Sequence, residues 1–237
     1  MLQQNQVWVC CDTKAEVGSH IIFLYQAKSE LLDVLSDYFI EGLKNNNACL
    51  MVIPSDNLAD EINGEIGRKD ILNKEQLKEK LVFIKHKKFY FSNGKFDPNK
   101  VFEMIDKQLD KNISMIRSAG DCSWVDKAIF NDFYQYEVAL TERYNSKNIL
   151  LLCAYFSKQL EIEQIIKLIQ SHMLILFKEG ASWKISETVE RKIYDQKIEE
   201  LEKFTKFAVG RELKMTELKK KIEQLEKELS RYKRTSE

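Results

Sequence analysis

From Ser19 to about Gly180 the chain alternates short, nearly continuous apolar runs with longer stretches in which apolar residues recur every three or four positions. The first pattern suits strands buried on both faces, and the second suits amphipathic helices laid against a sheet. Strands are expected at His20 to Tyr25, Ala48 to Ile53, Leu81 to Lys85, Ser114 to Arg117, Ile149 to Phe156 and Met173 to Phe177. A helix is expected from Ser29, whose hydroxyl can cap the first amides, to Lys44, with Leu31, Leu35, Tyr38, Phe39 and Leu43 on one face. A second follows the Asp97-Pro98 step, where the proline ring presets φ and Val101, Phe102, Ile105 and Leu109 form the stripe. Ala128 to Tyr144 and Glu161 to His172 complete the expected helices. Strand and helix in alternation imply an α/β fold with a parallel sheet covered on both sides.

The pattern changes near Ser186. Residues 187 to 237 carry 14 basic and 12 acidic side chains and one glycine, which is too polar for a core but suits one helix of roughly 46 residues, about 69 Å long. Leu201, Phe204, Ala208, Arg211, Met215, Leu218, Ile222, Leu225, Leu229 and Tyr232 recur at alternating steps of three and four, the seam of a coiled coil. In a parallel pair Lys221 would face Glu226 and Glu228 would face Lys233, while Lys214 would oppose Lys219 unfavourably. Arg211 beside Gly210 is the weak point of that seam. The division expected is an N-terminal segment (1–16), an α/β domain (17–185) and a coiled-coil helix (186–237).

Charge narrows the partners. Lysine plus arginine and aspartate plus glutamate each number 37, so no net charge draws the molecule to nucleic acid or to an anionic membrane. The opening MLQQNQVWVCC lacks the cationic and apolar regions of a signal peptide, and the longest apolar runs fall short of a bilayer span, so a cytoplasmic location is expected. Cys10, Cys11, Cys49, Cys122 and Cys153 include no C-x-x-C pair and read as reduced thiols. Adjacent Cys10 and Cys11 leave room for a redox switch through crosslinks across a dimer.

Catalytic spacings such as G-x-S-x-G, H-E-x-x-H and G-x-G-x-x-G are missing from the sequence, so no enzyme activity, catalytic residue, cofactor or metal is expected. The three histidines, His20, His86 and His172, are far apart, and His20 reads as a structural residue. Gln26-Ala27-Lys28-Ser29 lies between a strand and a helix, where a phosphate-binding loop would sit, yet it has no glycines to fold amides round a phosphate. A cation, a carboxylate and an indole converge in Arg117 to Trp124, placed at the carboxyl end of an inner strand, the edge where open α/β sheets hold ligands. This cluster reads equally well as an internal salt bridge capped by a core tryptophan. Tyr25, Pro54 to Asp56, Tyr155 and Glu137 are its nearby companions.

His20 to Tyr25, Tyr38 to Leu43, Gly94 to Pro98, Arg117 to Trp124, Tyr136-Glu137 and Leu152 to Tyr155 together resemble the MEDS family, a sensory domain of methanogens and methylotrophs, over roughly Val17 to Gly180. The resemblance implies a RecA/KaiC-like three-layer fold without its ATPase loop, and the sensing of a small organic compound. Asp121 departs from it, standing where glutamate is expected. The ligand-binding residues expected are Tyr25, Arg117, Asp121, Trp124, Glu137 and Tyr155. The tail is similar to helical segments that follow sensory domains, implying a homodimer that signals to a partner protein in trans. No helix-turn-helix is expected before Val17 or after the coiled coil. The rival expectations are a divergent nucleotide-binding protein using Lys28 and Ser29, and a dimeric adaptor that senses nothing.

Overall fold

Apolar runs become neighbouring strands because each can shed water on both faces only by lying inside a sheet. In a computed structural model, residues 6–69, 80–109 and 114–235 are described. In chain order the elements are β1 (Gln6–Trp8), β2 (Lys14–Glu16), β3 (His20–Tyr25), α1 (Lys28–Lys44), β4 (Ala48–Ile53), α2 (Asp56–Arg68) and β5 (Leu81–Lys85). There follow α3 (His86–Tyr90), β6 (Phe91–Ser92), β7 (Lys95–Phe96), α4 (Pro98–Leu109), β8 (Ile116–Asp121) and α5 (Phe130–Tyr144). The chain continues through β9 (Ile149–Phe156), α6 (Ile162–Ser171), β10 (Leu174–Glu179), β11 (Ser182–Glu187) and α7 (Val189–Thr235).

Seven strands form one sheet in the order β11-β10-β3-β9-β8-β4-β5, parallel throughout except for the antiparallel edge pair β10 and β11. The pleat sorts side chains by parity: Ile21 and Phe23 pack with α1 and α2 on one face, while Ile22 joins α4, α5 and α6 on the other. The result is a three-layer, mostly parallel α/β domain. No described helix is long and apolar enough to cross a membrane. The chain divides into two compact units, one through Arg191 and one from Lys192 onward.

Several elements were not legible in the pattern. The strand expected at Ser114 to Arg117 runs instead from Ile116 to Asp121, through Ser-Ala-Gly, which reads as a turn. Six wholly buried positions between β4 and β9 override that local preference, because pairing on both sides satisfies the backbone of a small-residue strand. The N-terminal segment contains the β1–β2 hairpin, turning at Cys11 and Asp12 with φ of 47° and 61°. Cys10 is buried there and Cys11 half-buried with its thiol on Asp37. Residues 1–5, part of the expected N-terminal segment, lie outside the described residues. Helix α2 and the edge strand β11 were also unforeseen.

Gly42 shows how tightly α1 meets the sheet: a Cβ there would stand 2.6 Å from Arg117 Cδ and 2.7 Å from Cys49 Sγ. Gly64, in α2, has open space instead. Gly42→Ala is therefore expected to destabilise the fold by about 1–3 kcal/mol through overpacking, whereas Gly64→Ala should stabilise it by about 0.5–1 kcal/mol. Urea denaturation of the two variants beside the wild type measures both signs.

Candidate functional site

The six candidate side chains do not share one place. Arg117 stands at the amino end of β8, not at its carboxyl end, so neither a salt bridge to Asp121 nor a joint grip on one ligand is available. This corrects the expected cluster, and the cause is the displaced strand boundary. The Arg117 guanidinium donates to the carbonyls of Val9 and Tyr38 at 3.2 Å each and to that of Trp8, while its Nε donates to Asn47 Oδ1 at 3.0 Å. It is 1% exposed and lies 5.2 Å from the Tyr38 ring centre. A buried cation satisfied by backbone carbonyls acts as a staple joining the N-terminal hairpin, α1 and the turn before β4.

At the carboxyl edge, Tyr25 donates to Asp121 Oδ1 at 3.1 Å, and the Ser123 amide donates to the same oxygen at 3.0 Å. Burial holds the Asp121 carboxyl above its ordinary range, opposed by the Ser123 and Tyr25 hydrogen bonds. Trp124 stacks on His86 with ring centres 4.8 Å apart and packs against Tyr90, Phe91 and Phe133. This edge is filled by the protein's own aromatic rings. In the turn before α1, the amides of Gln26 and Ala27 are held by the Glu30 carboxylate at 2.8 and 3.3 Å, and Lys28 pairs with Glu61 at 2.6 Å.

Glu137 and Tyr155 belong to a different constellation, sealed between the sheet and helices α5 and α6. Tyr155, from β9, donates to Glu137 Oε1 at 2.8 Å. The other carboxylate oxygen faces His20 Nε2 at 3.1 Å, His172 Nε2 at 3.4 Å and Cys153 Sγ at 3.6 Å. Both histidines have fixed tautomers. Thr141 spends its hydroxyl proton on the Ser171 carbonyl at 2.6 Å, so at His20 the Nδ1–H must donate to Thr141, also at 2.6 Å. His172 Nδ1–H donates to the Leu168 carbonyl at 2.6 Å. Each Nε2 therefore turns a bare lone pair inward.

Desolvation governs the charges. It lowers the pKa of His20 to about 3 and of His172 to about 3, and it raises that of Glu137. Cys153 is raised by its contact with Cys122 and by burial. Both imidazoles are thus uncharged. Sequence reasoning singled out Glu137 and Tyr155 one at a time and took His20 as structural; it missed Cys153 and His172. The available signal was parity: His20 opens an otherwise apolar strand, and Cys153 and Tyr155 alternate along another.

A separate cavity of about 570 Å³ lies over the β4, β5 and β8 face. Its floor is Ala48, Leu50, Val82, Ile84, Ile116 and Ser118, and Phe89, Met104, Ile105 and Gln108 from α3 and α4 wall it. None of the six candidate residues lines it. Its size and mainly apolar lining suit a small organic guest.

Residues 19–173 match the family described as MEDS: MEthanogen/methylotroph, DcmR Sensory domain. No curated protein matches the sequence significantly. Among solved structures, the flagellar accessory protein FlaH from Methanocaldococcus jannaschii is similar, with 15% identity, a TM-score of 0.44, and coverage of 71% of this chain and 76% of that one. A KaiC-like protein from Pyrococcus horikoshii OT3 is similar with 12% identity, a TM-score of 0.46, and coverage of 74% of this chain and 82% of that one.

Two outcomes separate structural from receptive roles. Arg117→Met should cost about 3 kcal/mol or more by leaving three carbonyls and Asn47 without their donor, readable as a lowered urea midpoint. For Asp121 the folded pKa lies above the unfolded one, so its contribution to stability falls as pH rises from the ordinary carboxylate range through the raised value. Asp121→Asn keeps an oxygen for Tyr25 and Ser123 and removes the titration. The stability difference should therefore shift in the variant's favour as pH rises through that window, as pH-dependent denaturation would show.

Proposed function

Because the chain belongs to the MEDS family of sensory domains, we propose that it takes a small, mainly apolar organic ligand into the cavity over β4, β5 and β8. The helical tail, paired with a second copy, passes the occupied state to a downstream protein. The observation that carries this reading is the cavity itself, whose volume and lining suit such a guest while the carboxyl edge is closed by Trp124 and its neighbours. Ser118 and Gln108 supply polar points that can orient a ligand bearing one polar group. In this reading the protein is a cytoplasmic binding module without a catalytic step.

The tail supports pairing. Helix α7 spans 47 residues, and its seam residues Phe204, Met215, Leu218, Ile222 and Leu225 are 46–70% exposed in the single chain. A second copy in heptad register would cover that stripe. The side chains of Leu201, Ala208, Leu229 and Tyr232 lie outside those described. The start of α7 is anchored in the domain: Thr188 Oγ1 receives the Arg191 amide at 3.3 Å and donates to the His172 carbonyl at 2.6 Å. Movement of the chain around His172 therefore reaches the helix cap directly. Against the nucleotide reading stands Glu30, whose carboxylate already fills the amide turn where a phosphate would bind.

Thermal-shift titration with a panel of small halogenated, alkyl and aromatic compounds is expected to raise the melting temperature for at least one class. Ala48→Phe, which fills the cavity floor, should abolish that rise while leaving the protein folded; a panel without any shift, or a shift that survives Ala48→Phe, contradicts the cavity. Sedimentation equilibrium at micromolar concentration should give a dimer, and Leu218→Lys with Leu225→Lys should give a monomer with the same domain stability.

A further inference from the structure

We propose that His20, Glu137, Cys153 and His172 are the ligands of a single divalent transition-metal ion of borderline softness, for which zinc(II) is the best match. The site stands on its own observations and does not depend on an organic ligand in the cavity.

Geometry is the first support. Bond lengths of about 2.0–2.3 Å to nitrogen, oxygen and sulfur place the ligand atoms of a tetrahedral zinc about 3.3–3.8 Å apart. Here Nε2 of His20 lies 3.1 Å from Glu137 Oε2 and 3.2 Å from Cys153 Sγ; Oε2 lies 3.4 Å from His172 Nε2 and 3.6 Å from Sγ. All four ligand atoms fall within 4.8 Å of one another. The polyhedron is nearly assembled before any ion enters.

Lone pairs are the second support. The Cys153 S–H can serve His20 Nε2, but His172 Nε2 is completely buried and has no hydrogen-bond partner. An orphaned acceptor of this kind is costly, because it gives up its hydrogen bond to water and gains none in return. A cation at the centre would receive that lone pair together with the other three. With the Cys153 thiol proton released to solvent as the ion binds, thiolate and carboxylate would balance its two positive charges, so the filled site would be neutral.

The surrounding bonds have the form of an outer shell. Thr141 and the Leu168 carbonyl hold the two Nδ1–H groups, and Tyr155 holds Glu137 Oε1, which leaves the inward atoms free for coordination. Mixed nitrogen, sulfur and oxygen donors favour zinc(II), cobalt(II) or iron(II) over magnesium or calcium. The His172 carbonyl also receives Thr188, the cap of α7, so an ion that fixes His172 fixes the point where that helix begins.

The test uses the full chain, unfolded with chelator and reductant and refolded with zinc(II) or cobalt(II), no organic compound present. Elemental analysis should find one ion per chain. The cobalt form should show tetrahedral ligand-field bands and a thiolate-to-cobalt charge-transfer band. Cys153→Ser should lose the charge-transfer band and Cys122→Ser should keep it, while His172→Gln should weaken retention by at least about tenfold, comparable to the larger effects of ligand-shell changes. A refolded wild type that retains no ion, or a charge-transfer band that survives Cys153→Ser, overturns the site. The wild-type result decides even if a variant fails to fold, and it leaves the cavity reading untouched.

Discussion

Burial of the central strands on both faces is the constraint from which the rest of this structure follows. Strands β3, β9 and β8 have no wet side, so any polar group they carry must find its partners inside the protein. Two buried groups, Arg117 on β8 and Glu137 on the α5 helix that covers the sheet, are met differently. Arg117 reaches three backbone carbonyls from two segments and so ties the N-terminal hairpin and α1 to the sheet. Glu137 instead gathers side chains, two imidazoles, a thiol and a phenol, into one enclosed group.

The two solutions have different consequences. Around Arg117 every guanidinium nitrogen donates to an oxygen, and the close approach leaves Gly42 no room for a Cβ, so that end of the sheet is fully satisfied and tightly packed. Around Glu137, by contrast, His172 Nε2 is left without a hydrogen-bond partner. An enclosed set of four potential ligand atoms within 4.8 Å of one another is what a metal ion would need, even though it is sealed from water. Its position matters as well, because His172 is where the cap of the outgoing helix attaches.

Receptive features are thus spread across the molecule. The carboxyl edge, the customary place for a ligand in an open α/β sheet, is occupied by Trp124, His86 and Tyr90. The apolar cavity lies toward the β5 edge, under α4, where Val82 remains half exposed. A sensory domain with its guest space on one flank and its helix anchor on the other would need the sheet to join them. The parallel pairing of β4, β8, β9 and β3 runs between those two flanks.

Period alone determined most of the architecture: His20 to Tyr25, Ala48 to Ile53, Leu81 to Lys85 and Ile149 to Phe156 were legible as buried strands, since their apolar character is continuous and local. The family was also legible, in the order of short motifs from His20 to Tyr155, and Glu137 and Tyr155 could be picked out singly. Only the tertiary structure decided that Ser118-Ala-Gly120 is strand rather than turn, and hence that Arg117 and Asp121 stand at opposite ends of it. It alone brought His20 beside His172, 152 positions away in sequence, with Glu137 and Cys153 between them. The reason is physical: periodicity records which face of its own element a residue occupies, whereas strand order and register, which set its neighbours across the sheet, arise from contacts between distant segments.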